Sequence, residues 1–454
     1  MNRFKPSLYQ QWLASASACI LFGNPDNKRT AGWQQARAHH HLSSALIVPY
    51  IRILHTIRAG ESLDDLLQAV FQRQTHHSHP IDVTQHIQTT DTCAPSSVSE
   101  SAFIHQSSLL LRLDAPGDHF AVERELIALG AFDAEGDIDD RLVPLNEYTI
   151  GHSISATEAR RLQPQHGRIW YPAQWFRGYC RLLSWLQREV SVLLPQAKWM
   201  NDPADIAIMF DKRRCHQWLH TGGVAVPPLV PNLLGQQSSY EQLRQSMEQH
   251  RIHRVFIKLF CGSAASGVIA YQYNPRTGAE IATTTIGIDH TGSEPYYYNS
   301  GTLRRYTDSA TIVQIIDWLG QEGMHAERWI SKASWQNKAY DVRQLVCRYE
   351  AGHAVMRLSH TTITNLHLRN DRLVVDQSHL SAEQVLQIQQ IALEGLHCFP
   401  HSFCAGIDVL VPSSGRHPYI IDMNPFGDLL YYVEHQGLGT YAWELQQWLT
   451  HECI

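Results

Sequence analysis

The sequence predicts an α/β fold that is α+β in part, with a parallel N-terminal domain and a C-terminal region of antiparallel strands. Over residues 1–150, short apolar runs alternate with segments of helical spacing, which is typical of a parallel sheet covered by helices. Residues 340–359 alternate like a meander of antiparallel strands. The chain is therefore expected to combine two kinds of sheet.

Composition limits the class of protein. The 454 residues are 44% hydrophobic and 18% charged, so two to four domains are expected. A net charge of -6 disfavours a nucleic-acid binder, and no apolar run approaches the roughly 18 residues of a membrane helix. The apolar segment 13–22 lacks the basic start of a signal peptide. Nine cysteines without a CxxC pair favour free thiols and a cytoplasmic location.

The predicted N-terminal domain (1–150) is built from strand–helix units. Residues 19–22 are the first strand, and turn-forming residues lead from it into a helix. Residues 45–54 are expected to be a second strand, followed by a helix that Ser62 caps. Residues 108–117 form a third strand, and the helix after it ends at Gly130.

A helical linker region (151–200) and two further subdomains complete the predicted order. Residues 205–221 are expected to form one helix of the first subdomain (201–325). A strand over 254–259 and a small-residue loop follow it. In the last subdomain (326–454), strands over 340–359 precede a helix over 381–398, which leads into the strands that carry Asp408 and Asp422.

Two lysines are candidates for phosphate binding. Lys258 ends a strand and precedes the loop CGSAASG, whose small residues permit backbone N–H groups to approach a phosphate closely. Lys212 lies in the helical stretch DKRRCHQWL. The pattern is not a Walker loop, because the lysine precedes the glycines. For Lys258, the alternative is a small-residue hairpin that carries a lysine by chance. For Lys212, the alternative is a surface lysine on a helix.

Oxygen donors on two C-terminal strands predict a divalent metal site. Asp408 lies at the rim of one strand, and Asp422 and Asn424 share a face of the next because they are two residues apart. Mg²⁺ in ATP enzymes commonly takes one or two carboxylates together with phosphate oxygens and water. A polar sheet edge is the alternative. The histidine clusters 39–41 and 76–79 lack matching cysteines, so a solvated surface is favoured there.

Arg343, Arg357 and Asn365 are the candidates for catalysis. Arg343 follows Asp341 by two residues on a strand, where an arginine facing the metal could neutralise charge on a transferring phosphoryl group. A surface ion pair is the alternative for this residue. Asn365 lies in ITNLHLRN, which a turn between strands would also explain.

These elements, in this order, resemble the ATP-grasp superfamily over roughly residues 200–454. The motifs are DK (211–212), IK with GSAASG (257–267), ERWI (327–330), DVR (341–343), TNLH (364–367), AGIDVL (405–410) and IIDMN (420–424). Through TNLH the chain looks most similar to the branch of ribosomal-protein glutamate ligases and glutathione synthetases. The first 200 residues are similar only to a pre-ATP-grasp domain.

The resemblance implies two subdomains that close on ATP and Mg²⁺. Lys212 and Lys258 would contact the α and β phosphates, and Arg343 would face the γ-phosphate. The metal would be held by Asp408, Asp422 and Asn424. The other nucleotide positions would be Ser263, Ser266 and Gly267 of the loop, and Glu327, Arg328, Trp329 and Ile330 of a hinge that bonds adenine through its backbone. The chain departs from the family pattern at Asp422, where Glu is usual, and at Ala264–Ala265, where glycine is more common.

The implied activity is that of a carboxylate–amine ligase. A carboxylate would take the γ-phosphoryl group to give an acyl phosphate, and an amine would then displace phosphate. An ATP-grasp kinase and an inert nucleotide-binding partner protein are the alternatives. A small-molecule or peptide substrate could bind at 23–29, 114–119 or 168–178, but ordinary turn residues at the first two segments and interdomain packing at the third are favoured. Neither nucleic acid nor membrane is expected as a partner, and a homo-oligomer is left open.

Overall fold

The computed structural model describes residues 7–15, 17–77, 109–144, 152–233, 238–262, 266–292, 295–364, 370–375 and 378–452. No helix in these ranges is long and apolar enough to cross a membrane. The elements in chain order are α1 (Leu8–Leu13), β1 (Cys19–Gly23), α2 (Lys28–His39), β2 (Leu46–Pro49), α3 (Tyr50–Ala59), α4 (Leu63–His77), β3 (Leu110–Leu113), α5 (Phe120–Leu129), α6 (Ala156–Arg161), α7 (Pro172–Leu193), β4 (Lys198–Trp199), α8 (Pro203–Phe210), α9 (Lys212–Thr221), α10 (Tyr240–Gln249), β5 (Arg254–Leu259), β6 (Val268–Tyr273), β7 (Glu280–Asp289), β8 (Tyr296–Tyr306), α11 (Ser309–Glu322), β9 (Met324–Arg328), β10 (Ser334–Trp335), β11 (Lys338–Cys347), β12 (Glu350–Ser359), β13 (Asp371–Val374), α12 (Ala382–His397), β14 (Cys404–Leu410), β15 (Tyr419–Asn424) and α13 (Thr440–Glu452).

The N-terminal sheet is parallel and has the strand order β2-β1-β3-β4. This confirms the predicted α/β class. Every residue of β1 is buried, as expected for a parallel strand with helices on both faces. The apolar run 45–54 is only half strand, because α3 begins directly after β2. Pro49 precedes that helix with a φ of -66° and no N–H donor, which suits a helix start.

The central sheet is antiparallel, with five strands in the order β8-β7-β6-β5-β9. β5 alternates between buried apolar residues and a more open face that carries Phe256 and Lys258. In β9, Glu327 lies opposite Phe256 and His325 lies opposite Lys258. The polar side chains of these two strands therefore share one face of the sheet.

The C-terminal sheet has the order β13-β12-β11-β14-β15, with β10 paired to β11, and its described pairings are antiparallel. Residues of α9 and α12 pack on one face, where Val342 and Ile407 belong to the apolar core. The neighbouring residues on these strands point to the opposite face. Asp341, Arg343 and Asp408 are thereby brought onto that face together.

The predicted single helix over 205–221 is broken at Asp211. This residue has extended backbone angles (φ -85°, ψ 104°) and separates α8 from α9. Its buried carboxylate caps α9 by accepting a hydrogen bond from the N–H of Arg213 at 3.0 Å. Lys212 is consequently the first residue of α9, and its N–H donates to Phe260 O at 2.8 Å. The predicted helical linker region (151–200) likewise contains two helices, α6 and α7.

Candidate active site

Two lysines from separate elements meet the last strand of the C-terminal sheet. Lys212 Nζ lies 2.9 Å from Asp422 Oδ1, and Lys258 Nζ lies 3.0 Å from the carbonyl oxygen of Ile421. Burial lowers the pKa of Lys212, but Asp422, together with Cys215 and Asp408, outweighs burial, so the pKa lies above its ordinary value. Two charged ammonium groups held at a carboxylate strand can bind a polyanion.

The oxygen donors predicted to hold a metal lie side by side on β14 and β15. Asp408 is directly opposite Asp422, and Gly406 is opposite Asn424. Asn424 Nδ2 donates to the carbonyl oxygen of Gly406 at 3.3 Å. Because that bond uses the amide nitrogen, the amide oxygen of Asn424 remains as an acceptor for another group.

Asp408 lies between two arginines. Arg343 Nε is 2.9 Å from Oδ1, and Arg357 Nη2 is 3.0 Å from Oδ2. The contact with Arg343 is an ion pair without hydrogen-bond geometry, so Oδ1 accepts no hydrogen bond from the residues that the structure describes. Burial raises the pKa of Asp408 above its ordinary value even though both arginines lower it. Two guanidinium groups at this point are suited to neutralise a transferring phosphoryl group.

The donors on β14 and β15 fit Mg²⁺. Two carboxylates and one amide oxygen are hard ligands, and phosphate oxygens and water usually fill the remaining positions. Asp408 Oδ1, which accepts no hydrogen bond, is the observation that supports this fit. No three His, Cys, Asp or Glu side chains form a metal site within the described ranges, which include the histidines at 39–41. The side chains of the second cluster, at 76–79, lie outside those ranges.

Glu327 and His325 form a buried network with Lys258 that the sequence did not predict. Lys258 Nζ is 2.6 Å from Glu327 Oε1, and His325 Nε2 is 3.1 Å from Oε2. Burial alone would raise the pKa of Glu327, but Lys258 and His325 lower it from 4.5 to about 2. The side chain of Glu327 thus holds Lys258 in place. This contact is separate from the predicted role of residue 327 in the adenine hinge, which concerns its backbone.

Two backbone donors of the predicted adenine hinge are already used by the protein. The N–H of Arg328 donates to Pro228 O at 2.7 Å, and that of Trp329 donates to Arg254 O at 3.2 Å. An adenine ring at this hinge must therefore find other backbone groups. Contacts between the hinge and a nucleotide stay a prediction.

The small-residue loop between β5 and β6 is described at its two ends. Gly267 has a φ of +70°, and a Cβ there would lie 2.6 Å from the Cβ of Leu259, so only glycine fits. Ser266 precedes it and is partly exposed. Ser263 and Asn365 lie outside the described residues, and their predicted roles stay predictions.

The carboxyl ends of β1 and β3 face the loop that follows β15. Arg29 and Arg112 both donate to the carbonyl oxygen of Phe426, at 3.5 Å and 3.2 Å. Arg112 also pairs with Glu444 at 3.1 Å. Burial raises the pKa of Glu444 to about 7, although Arg112 lowers it. Strand ends of this kind usually carry the ligand loops of an α/β sheet.

One residue of the site was not predicted from the sequence. Asp428, two residues beyond Phe426, joins the site: its Oδ2 lies 3.4 Å from Arg343 Nε. Little in the sequence indicated a role for Asp428, because it follows a loop rather than a strand. The aromatic segment 168–178 contributes to the core, as its favoured packing interpretation predicts, and the ring of Phe176 lies 5.3 Å from that of Phe260.

No protein-family profile and no curated protein matches the chain, whereas solved structures do. The D-cycloserine synthetase DcsG is 11% identical, and the match covers 95% of this chain and 99% of that one at a TM-score of 0.45. The VanG D-Ala:D-Ser ligase from Enterococcus faecalis is 12% identical over 96% and 99%, at 0.44. A D-alanine–D-alanine ligase from Bacillus anthracis, complexed with ATP, is 11% identical over 58% and 72%, at 0.36. Two of these structures are named as ligases and one as a synthetase. At such identities and TM-scores the likeness does not bear on substrate or on individual residues.

Proposed function

We propose that the chain is an ATP-dependent carboxylate–amine ligase of the ATP-grasp type, which forms an amide bond and releases ADP and phosphate. The observation that supports this most is the meeting of Lys212 and Lys258 with the carboxylate strand β15. A triphosphate with Mg²⁺ needs cations on one side and hard oxygen ligands on the other. The cations and the hard oxygen ligands both lie within a few residues of strand β15.

In this proposal the two lysines hold the α and β phosphates. Asp408, Asp422 and Asn424 hold Mg²⁺, which when bound neutralises charge along the phosphate chain. Lys212 must then exchange its carboxylate partner for a phosphate oxygen, because its ammonium group and the metal compete for Asp422. Nucleotide and metal are therefore expected to bind better together than singly.

Arg343 and Arg357 stabilise the transferring phosphoryl group in the proposed reaction, and Asn365 is proposed to act at the same step. A carboxylate oxygen of the substrate attacks the γ-phosphorus, and the bond to the β-phosphate oxygen breaks, so ADP leaves with the electron pair. The amine nitrogen then attacks the acyl carbon, phosphate leaves, and the nitrogen loses a proton. The chain supplies no nucleophile; it orients the two substrates and keeps water from the acyl phosphate.

The proposed substrate site lies where the N-terminal domain meets the loop after β15. Arg29 and Arg112 reach that loop, and Asp428 of the loop contacts Arg343. We also propose that the chain is divided as the sequence predicts, into an N-terminal domain (1–150), a helical linker region (151–200) and two ATP-grasp subdomains (201–325 and 326–454). The substrates are proposed to be a small molecule or peptide that carries a carboxylate and a second compound that carries an amine.

A screen for ATP-dependent phosphate release, with pooled carboxylic acids and amines, tests the proposal. A ligase releases phosphate only when an acid and an amine are both present. A kinase would instead consume ATP with a hydroxyl compound and release no free phosphate. Asp422→Ala should abolish phosphate release while circular dichroism stays that of the wild type. Full activity of this variant would remove Asp422 from the proposed metal site.

A further inference from the structure

Asp341 is a buried carboxylate that the proposed reaction does not use. It is 1% exposed and lies on β11, two residues before Arg343. Its Oδ1 accepts a hydrogen bond from Arg357 Nε at 2.7 Å, and Lys332 Nζ lies 2.7 Å from its Oδ2. Thr364 Oγ1 also donates to Oδ2, while Lys332 donates to Thr364. Because protein groups occupy both oxygens, Asp341 is not placed to bind a metal or a nucleotide itself.

Each partner of Asp341 belongs to a different part of the proposed site. Lys332 follows the predicted adenine hinge by two residues. Thr364 directly precedes the predicted catalytic asparagine. Arg357 continues from Asp341 to Asp408, with Nη2 at 3.0 Å from Oδ2 of that predicted metal ligand. One side chain therefore connects the segments proposed to hold adenine, the acyl phosphate and the metal.

The charges of this network hold its geometry. Burial raises the pKa of Asp341, but Arg357 and Lys332 lower it by more, so the pKa lies well below its usual range. The carboxylate is thus ionised between two cations in a water-poor setting. Buried networks in which every group has a partner are rigid, and contacts behind a metal ligand set its orientation.

We propose that Asp341 is a positioning residue, which fixes Asp408, the hinge and the Thr364 segment relative to one another. This inference rests on the proposed function. It requires that loosening one contact of Asp341 weakens the part of nucleotide binding that depends on magnesium. Binding of the nucleotide without magnesium should change little, because the lysines that hold the phosphates do not contact Asp341.

The test is calorimetric titration of a non-hydrolysable ATP analogue with and without Mg²⁺. Thr364→Val removes one hydrogen bond to Asp341 without changing any charge, and Lys332→Met removes one cation. In both variants the gain in affinity from Mg²⁺ should fall about tenfold, with the magnesium-free affinity unchanged. Lys338→Met is the matched control on the same strand: Lys338 pairs with the exposed Asp371 and should keep the full gain.

The outcomes separate a positioning role from a structural one. An unchanged magnesium gain in both variants would overturn the inference. So would a parallel loss of affinity with and without Mg²⁺ together with a lower unfolding temperature, because that pattern marks a general loss of structure. If the wild type does not bind the analogue, or gains nothing from Mg²⁺, the proposed function fails and this inference fails with it.

Discussion

Lys258→Met is the most informative single change, because it separates the two roles assigned to Lys258. The lysine neutralises the buried carboxylate of Glu327 and is proposed to bind phosphate. The pKa of Glu327 lies at about 2 instead of 4.5. At about 1.36 kcal/mol per pKa unit, ionised Glu327 contributes roughly 3 kcal/mol to stability. Since the folded pKa is depressed, this contribution is full above about pH 4.5 and is lost as the pH falls towards 2.

Lys258→Met should therefore lower the free energy of unfolding by about 3 kcal/mol at pH 7, because it leaves a buried carboxylate without its cation. Urea unfolding followed by tryptophan fluorescence measures the difference, which should shrink as the pH falls towards 2. The double variant Lys258→Met/Glu327→Gln should regain most of the stability but not the affinity for nucleotide. An unchanged urea midpoint in the single variant, or no recovery in the double variant, would refute this reasoning.

Three further predictions concern the same site. Lys212→Met frees Asp422, so the affinity for Mn²⁺ without nucleotide, measured by electron paramagnetic resonance, should rise about tenfold or more, since a unit charge at about 4 Å opposes a divalent ion by about 2 kcal/mol even at the dielectric constant of water; an unchanged affinity would mean that lysine and metal do not compete. Asp211→Ala removes the cap of α9 and should lower the free energy of unfolding by about 1 kcal/mol in urea, whereas no loss would contradict the capping role. Arg343→Lys keeps the charge but loses the planar fork, so phosphate release should fall at least roughly tenfold while calorimetry shows unchanged nucleotide affinity; equal losses in both would argue against a role in phosphoryl transfer.

The fold was predictable where periodicity is local. The apolar run of β1 and the i, i+2 spacing of Asp422 and Asn424 follow from the geometry of a strand. The resemblance to the ATP-grasp superfamily implied that Lys212 and Lys258 share a site. Their side chains do reach the same strand.

Other features depend on contacts that the sequence does not display. Asp211 breaks a helix because its carboxylate caps α9, although the residues around it continue the helical pattern. Asp341 and Lys332 come together only through the pairing of β11 with its neighbours and the path of the hinge. Asp428 reaches Arg343 from a loop, where no periodicity constrains a side chain. Tertiary contacts rather than local spacing decide these positions.

The most direct test of the proposed site is a crystal structure with a non-hydrolysable ATP analogue and Mg²⁺. The expected result is that Lys212 and Lys258 lie within hydrogen-bond distance of phosphate oxygens, with the metal bound by Asp408, Asp422 and Asn424. Nucleotide bound elsewhere, or Lys212 still paired with Asp422 while the metal sits away from β14 and β15, would contradict it.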